Sequence, residues 1–119
     1  MTVTMESLFP QAGQLEIDVR LSTTVNVTAF SARQKVSGFV ADHLSTNMHA
    51  GEPSLVVGES IVWRVPVILS LPPTGDRGEI GTLDVDIQSG QIYHSRTLLA
   101  EMERRADYLV TRSAPPAGG

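Results

Sequence analysis

The chain has 119 residues, of which 41% are hydrophobic and 18% are charged, a size and balance typical of one globular domain with its own core. It contains no cysteine, which excludes disulfide scaffolds, thiolate metal sites and cysteine nucleophiles. Its net charge of −4 disfavours general binding to nucleic acid or to anionic lipid, so neither is an expected partner.

The N-terminal region carries no recognisable targeting signal. Met1 to Gln14 lack a basic residue followed by an apolar block, which a secretory signal requires. The longest strongly apolar stretch, Ile61 to Leu71, is far shorter than the roughly 20 residues that span a bilayer. We therefore expect a cytoplasmic protein that makes no contact with a membrane.

The chain divides into three parts. Residues 1–13 show no sustained period and contain a proline and a glycine, so they are predicted to form a flexible leader. Residues 14–112 are predicted to form a single domain, and residues 113–119 a flexible tail. Alternation of apolar and polar residues from Leu15 to Leu21 predicts the first strand of that domain, with one buried face.

The first predicted helix follows a change of period. Apolar side chains recur every three or four residues after Val27 and predict a helix from about Ala29 to Thr46. Thr28 or Ser31 can serve as its N-cap. Gly38 lies inside the helix and weakens it by about 1 kcal/mol relative to alanine, unless a close contact requires the missing side chain.

A two-faced apolar strand is predicted from Ile61 to Leu71, and such strands are usually covered on both sides. Pro66 cannot donate a backbone hydrogen bond, so a bulge, a kink or an edge position is expected there. Glu79 to Ile87 predicts the returning strand of a hairpin. Roughly Arg96 to Thr111 predicts a second amphipathic helix, capped by a serine or threonine at its start. The predicted fold is therefore α+β, an antiparallel sheet of about three to five strands with two helices.

Histidines are the first candidates for catalysis or metal binding. His43, His49 and His94 lack the i, i+4 spacing of a helical zinc pair, so we predict no metal site and no cofactor. The nearest approach to a serine hydrolase elbow, Gly58-Glu59-Ser60, lacks the second glycine.

Two acidic residues are the next candidates. Asp84 and Asp86 lie on one predicted strand face with side chains about 7 Å apart. This spacing suits general acid–base chemistry, so a small hydrolase or ligand-binding enzyme using both acids and a histidine is one alternative. Alternating acids are also typical of a solvent-facing strand, and no third group is placed to complete a site. We therefore predict no catalytic residue.

A partner-binding surface is predicted around the central strand and the second helix. Trp63 is the only tryptophan and is most simply a core anchor. Arg64 faces the other way and needs an acid, either Asp84 or Asp86 of the same chain or a carboxylate of another molecule. The apolar stripe of the second helix can cover the sheet, pack beside the first helix, or bind a second chain. The predicted partner-binding residues are Trp63, Arg64, Leu98, Leu99, Met102 and Leu109.

One turn carries a family resemblance. The sequence Asp86-Ile87-Gln88-Ser89-Gly90-Gln91-Ile92 forms an Asp-x-x-Ser-Gly-x-Ile turn at the end of a helix-then-strands layout. Over about half the chain, Ala29 to Tyr93, this layout resembles PepSY-type domains. Members of that family are typically secreted or membrane-attached modulators of proteases, whereas this chain lacks the signal expected of them, and the resemblance assigns no residue roles. The strand around Trp63 also resembles strands of small bacterial proteins.

These observations predict a non-catalytic protein-binding or regulatory module that forms homo-oligomers. A two-faced apolar strand and a separate amphipathic helix present more apolar surface than one covering helix can bury. The expected partners are therefore a second copy of the chain or another protein. A further alternative is an antitoxin-like or inhibitor partner of another bacterial protein, with the leader or the second helix as the contact.

Overall fold

The computed structural model of the chain describes residues 2–5, 24–72 and 75–113. The predicted first strand, Leu15 to Leu21, lies outside these residues, as does most of the predicted tail. The described elements, in chain order, are β1 (Thr2–Met5), α1 (Ala29–His43), β2 (Met48–Ala50), β3 (Ser54–Val57), β4 (Ile61–Leu71), β5 (Gly75–Asp86), β6 (Ile92–Tyr93) and α2 (Arg96–Ser113).

This architecture confirms the predicted α+β class with two helices. In the described part of the chain the sheet contains six strands, more than the three to five predicted. The sheet is mostly antiparallel, and the parallel pairing of β1 with β3 makes it mixed. β4 lies at its centre, with β5 along one side and with β2 and β3 along the other.

The predicted irregularity at Pro66 is confirmed. β2 and β3 lie one after the other along the same side of β4, and a break at residues 51–53 separates them. Gly51 in this break donates its N–H to the Pro66 carbonyl at 2.8 Å. In an antiparallel strand the nitrogen and the carbonyl of one residue point to the same side, so the Pro66 nitrogen also faces the break. No neighbouring strand needs a backbone N–H at that point, so proline is tolerated there. A register shift between Val67 and Ile68 marks a bulge on the β5 side.

The N-terminal end of α1 lies where the sequence predicts it, and the C-terminal end comes earlier than predicted. The Thr28 hydroxyl accepts a hydrogen bond from the Ser31 N–H at 3.1 Å, which makes Thr28 the N-cap. The helix ends at His43, three residues before the predicted Thr46. There Leu44 and Ser45 both donate to the carbonyl of Val40, which closes the last turn.

Both helices pack on the same face of the sheet. Ala32, Val36 and Val40 of α1 and Met102 and Ala106 of α2 belong to one buried cluster with alternate residues of β4 and β5. The cluster residues of β4 are Trp63, Val65, Val67 and Leu69. We call the opposite face, on which neither described helix lies, the helix-free face; it is defined on β4 by Val62, Arg64, Pro66, Ile68 and Ser70.

The approach of α2 to the sheet requires a glycine on β5. A Cβ built on Gly81 would lie 2.9 Å from the Cγ of Met102, closer than side-chain atoms normally approach. Met102 is almost completely buried there. Neither described helix combines the length and the apolar character that crossing a bilayer requires.

Candidate functional site

An open cleft of about 440 Å³ lies on the helix-free face, beside the turn between β3 and β4. Strand pairing brings its walls together, because Val56 lies opposite Val62 and Asp84 lies opposite both Arg64 and Tyr93. The cleft is therefore built from β3, β4, β5 and β6. Its lining residues are Val56, Gly58, Glu59, Ser60, Val62, Arg64, Asp84 and Tyr93.

A two-point ion pair lies in this cleft. The Arg64 Nε donates to Asp84 Oδ1 at 2.9 Å, and Nη2 donates to Oδ2 at 3.1 Å. The two side chains are 33% and 28% exposed. Of the acids considered for Arg64 from the sequence, Asp84 is the one bound, because cross-strand register places it directly opposite. Both oxygens of Asp84 thus accept from the guanidinium.

Asp86 is the cap of the turn that follows β5. Its Oδ1 accepts the backbone N–H groups of Gln88 and Ser89, both at 2.9 Å, and Gly90 takes a φ of 75° that suits glycine. The N–H of Ser89, and next that of Gln88, hold the pKa of Asp86 below its ordinary value by stabilising the carboxylate.

Tyr93 completes the cap. Its hydroxyl donates to Asp86 Oδ2 at 3.1 Å. This hydrogen bond to a carboxylate raises the pKa of Tyr93, since a deprotonated phenol could no longer donate and would repel the acid. The Asp-x-x-Ser-Gly-x-Ile sequence therefore builds a specific hydrogen-bonded turn beside the cleft.

The histidines are not brought to these acids. None of them is among the residues that line the cleft. The rings of His43 and His94 pack on Phe39, with centroids 4.1 and 4.8 Å away. Among the described residues, no group of three or more histidine, aspartate and glutamate side chains is placed to hold a metal ion.

His49 instead belongs to a cluster that sequence reasoning missed. The Ser70 hydroxyl donates to Asp76 Oδ1 and lies 3.2 Å from His49 Nδ1, while His49 Nε2 lies 3.9 Å from Asp76. A serine hydroxyl has one proton, and here Asp76 accepts it. The cluster joins β2, β4 and β5, and no local sequence signal could have shown that these strands bring the three residues together.

Two of the six predicted partner-binding residues are buried, and the other four are partly exposed. Trp63 is buried, and its Nε1 donates to the Val27 carbonyl at 2.7 Å. Met102 is also buried, and three leucines of α2 pack against the same core while remaining partly exposed. Arg64 alone among the six lines the cleft. The three leucines are Leu98, Leu99 and Leu109.

No protein family model, no curated protein and no solved structure matches this chain. Its resemblance to PepSY-type domains therefore remains a prediction from the turn at Asp86 and from the order of the elements. A function for this chain must therefore be inferred from its own surfaces.

Proposed function

We propose that this chain is a non-catalytic protein-binding module that forms homo-oligomers through the helix-free face. One observation carries the proposal: α1 and α2 contribute to a single core on one side of the sheet. Pro66 and Ile68, both half-buried, lie on the other side, over which no described helix packs. Apolar side chains on such a face gain from being covered by another molecule.

Acids outnumber bases on this face. Asp84 is paired with Arg64. Glu79 and Asp76 lie opposite Ile68 and Ser70, so a second copy must be offset along the strands to keep these acids apart. In a twofold interface each residue meets the same surface patch of its partner. Two sheets packed face to face lie about 10 Å apart, which places side chains such as Ile68 in contact.

The roles of the two candidate catalytic acids support a binding function over hydrolysis. Asp84 accepts from Arg64 with both oxygens, and Asp86 accepts the N–H groups of its own turn. An acid–base pair needs a carboxyl group free to exchange a proton with a substrate.

Sedimentation velocity tests the proposal on the full chain. We expect the wild type to sediment as a dimer or larger species whose fraction rises with concentration, and Ile68→Glu to shift it to monomer because a charge is costly in an apolar interface. Gln34→Glu on the exposed side of α1 is the control and should leave the distribution unchanged. A wild-type chain that is monomeric at every concentration would overturn the proposal.

A further inference from the structure

A second concave surface lies on the helix side of the sheet, between the C-terminal end of α1 and the C-terminal half of α2. We call it the α1–α2 groove; it encloses about 290 Å³. Val110 on its wall is 42% exposed, which is high for a large apolar side chain that lies beside a core. The apolar residues that line the groove are Leu44, Met48, Leu69, Leu71, Ala106 and Val110.

The charges of the groove have one sign. Glu103 and Asp107 are its charged lining residues, and both are exposed. They are four residues apart on α2, so they lie on one side of that helix. Leu44 and Ser45 bring the C-terminal end of α1 to the same groove, where backbone carbonyls carry partial negative charge.

Arg104 lies beside Asp107 on the helix, three residues before it, but neither Arg104 nor Arg105 is among the lining residues of the groove. Arg105 is two residues from both acids, which places it about 200° around the helix from each of them. Its guanidinium carbon lies 5.2 Å from the centre of the Tyr108 ring, a cation–π distance. The two acids therefore define a negative rim above an apolar floor.

We propose that the α1–α2 groove binds a segment of another protein that inserts an arginine or lysine side chain. The aliphatic stem of such a side chain matches the apolar wall formed by Leu44 and Val110, and its cationic head matches Glu103 and Asp107. The groove is on the side of the sheet opposite the proposed self-association surface, so this inference stands or fails separately from homo-oligomer formation.

Fluorescence anisotropy with the full chain tests the inference. The probe is a short labelled peptide with Leu-Arg pairs in a Gly-Ser background, and its matched control carries Leu-Glu pairs. We expect only the Leu-Arg peptide to bind, and added salt to weaken it. Glu103→Lys combined with Asp107→Lys should weaken binding about tenfold or more. Glu101→Lys, which makes half of that charge change on another side of α2, should change binding less than about twofold.

Amide chemical-shift mapping locates the peptide. Shifts clustered at Leu69, Ala106 and Val110 support the groove, whereas shifts confined to the helix-free face overturn the inference. Equal binding of both peptides, or unchanged binding by the double lysine variant with a wild-type circular dichroism spectrum, overturns it too. If the double lysine variant instead changes the sedimentation of the chain without peptide, a second copy occupies the groove and the inference is wrong.

Discussion

Arg64 and Asp84 face each other across β4 and β5, joined by two hydrogen bonds of 2.9 and 3.1 Å. Both side chains are about one-third exposed, so water screens much of their attraction. We expect a double-mutant cycle with Arg64→Met and Asp84→Asn to give a coupling free energy of unfolding of about 1 kcal/mol. Urea denaturation of the four proteins measures it, and strictly additive effects would show that the pair contributes nothing.

Packing of α2 on β5 makes a second prediction. Gly81→Ala places a methyl group 2.9 Å from Met102 Cγ, so Met102 must move out of a closely packed site. We expect a loss of about 1–3 kcal/mol in the free energy of unfolding. Chemical denaturation followed by circular dichroism measures the change.

Gly38→Ala is the matched control for Gly81→Ala. A Cβ at Gly38 meets no atom within 4 Å, so packing does not require a glycine there. The glycine therefore only weakens α1, as the sequence predicts. We expect Gly38→Ala to stabilise the chain by up to about 1 kcal/mol. Equal destabilisation by both substitutions would contradict the role assigned to the Gly81–Met102 contact.

Local patterns predicted the elements whose signals lie within a few residues. The N-cap at Thr28 and the turn at Asp86 follow from side chains that bind their own neighbouring backbone. The short strand β2 and the cluster of Ser70 with His49 depend on pairing between distant segments. Sequence periodicity shows which side of a helix is buried, but it does not show which face of a sheet that helix covers. The sequence therefore could not predict that both helices lie on one face.

Trp63 links the segment before α1 to the sheet. Its Nε1 donates to the Val27 carbonyl at 2.7 Å inside the core. Trp63→Phe keeps an aromatic ring, leaves that carbonyl without its donor and removes part of the core volume, so we expect a loss of about 2–4 kcal/mol in the free energy of unfolding. Phe30→Leu changes an aromatic side chain that is 69% exposed and should change stability by less than about 0.5 kcal/mol.

Urea midpoints read by circular dichroism compare Trp63→Phe with Phe30→Leu. A midpoint for Trp63→Phe that equals the wild type would mean that the hydrogen bond to Val27 is not formed in solution.

The turn capped by Asp86 predicts how stability depends on pH. Its carboxylate accepts two backbone N–H groups, and its pKa is lower in the folded chain than in the unfolded chain. The folded state therefore binds this proton less readily. The resulting stabilisation is complete above the unfolded pKa, near pH 4, and is lost as the pH falls through the folded pKa. We expect Asp86→Asn to remove this contribution.

Urea denaturation at a series of pH values measures the contribution of Asp86 to stability. The difference in unfolding free energy between the wild type and Asp86→Asn should be largest near neutral pH and should shrink as the pH is lowered below about 4.

Tyr93→Phe tests how stability depends on alkaline pH. The raised pKa of Tyr93 stabilises the folded chain below the ordinary pKa of a phenol, about 10, and this contribution disappears as the pH rises through the folded value. The wild type should therefore lose its advantage over Tyr93→Phe in alkali, and a constant difference at all pH values would show that the phenol does not bind the carboxylate.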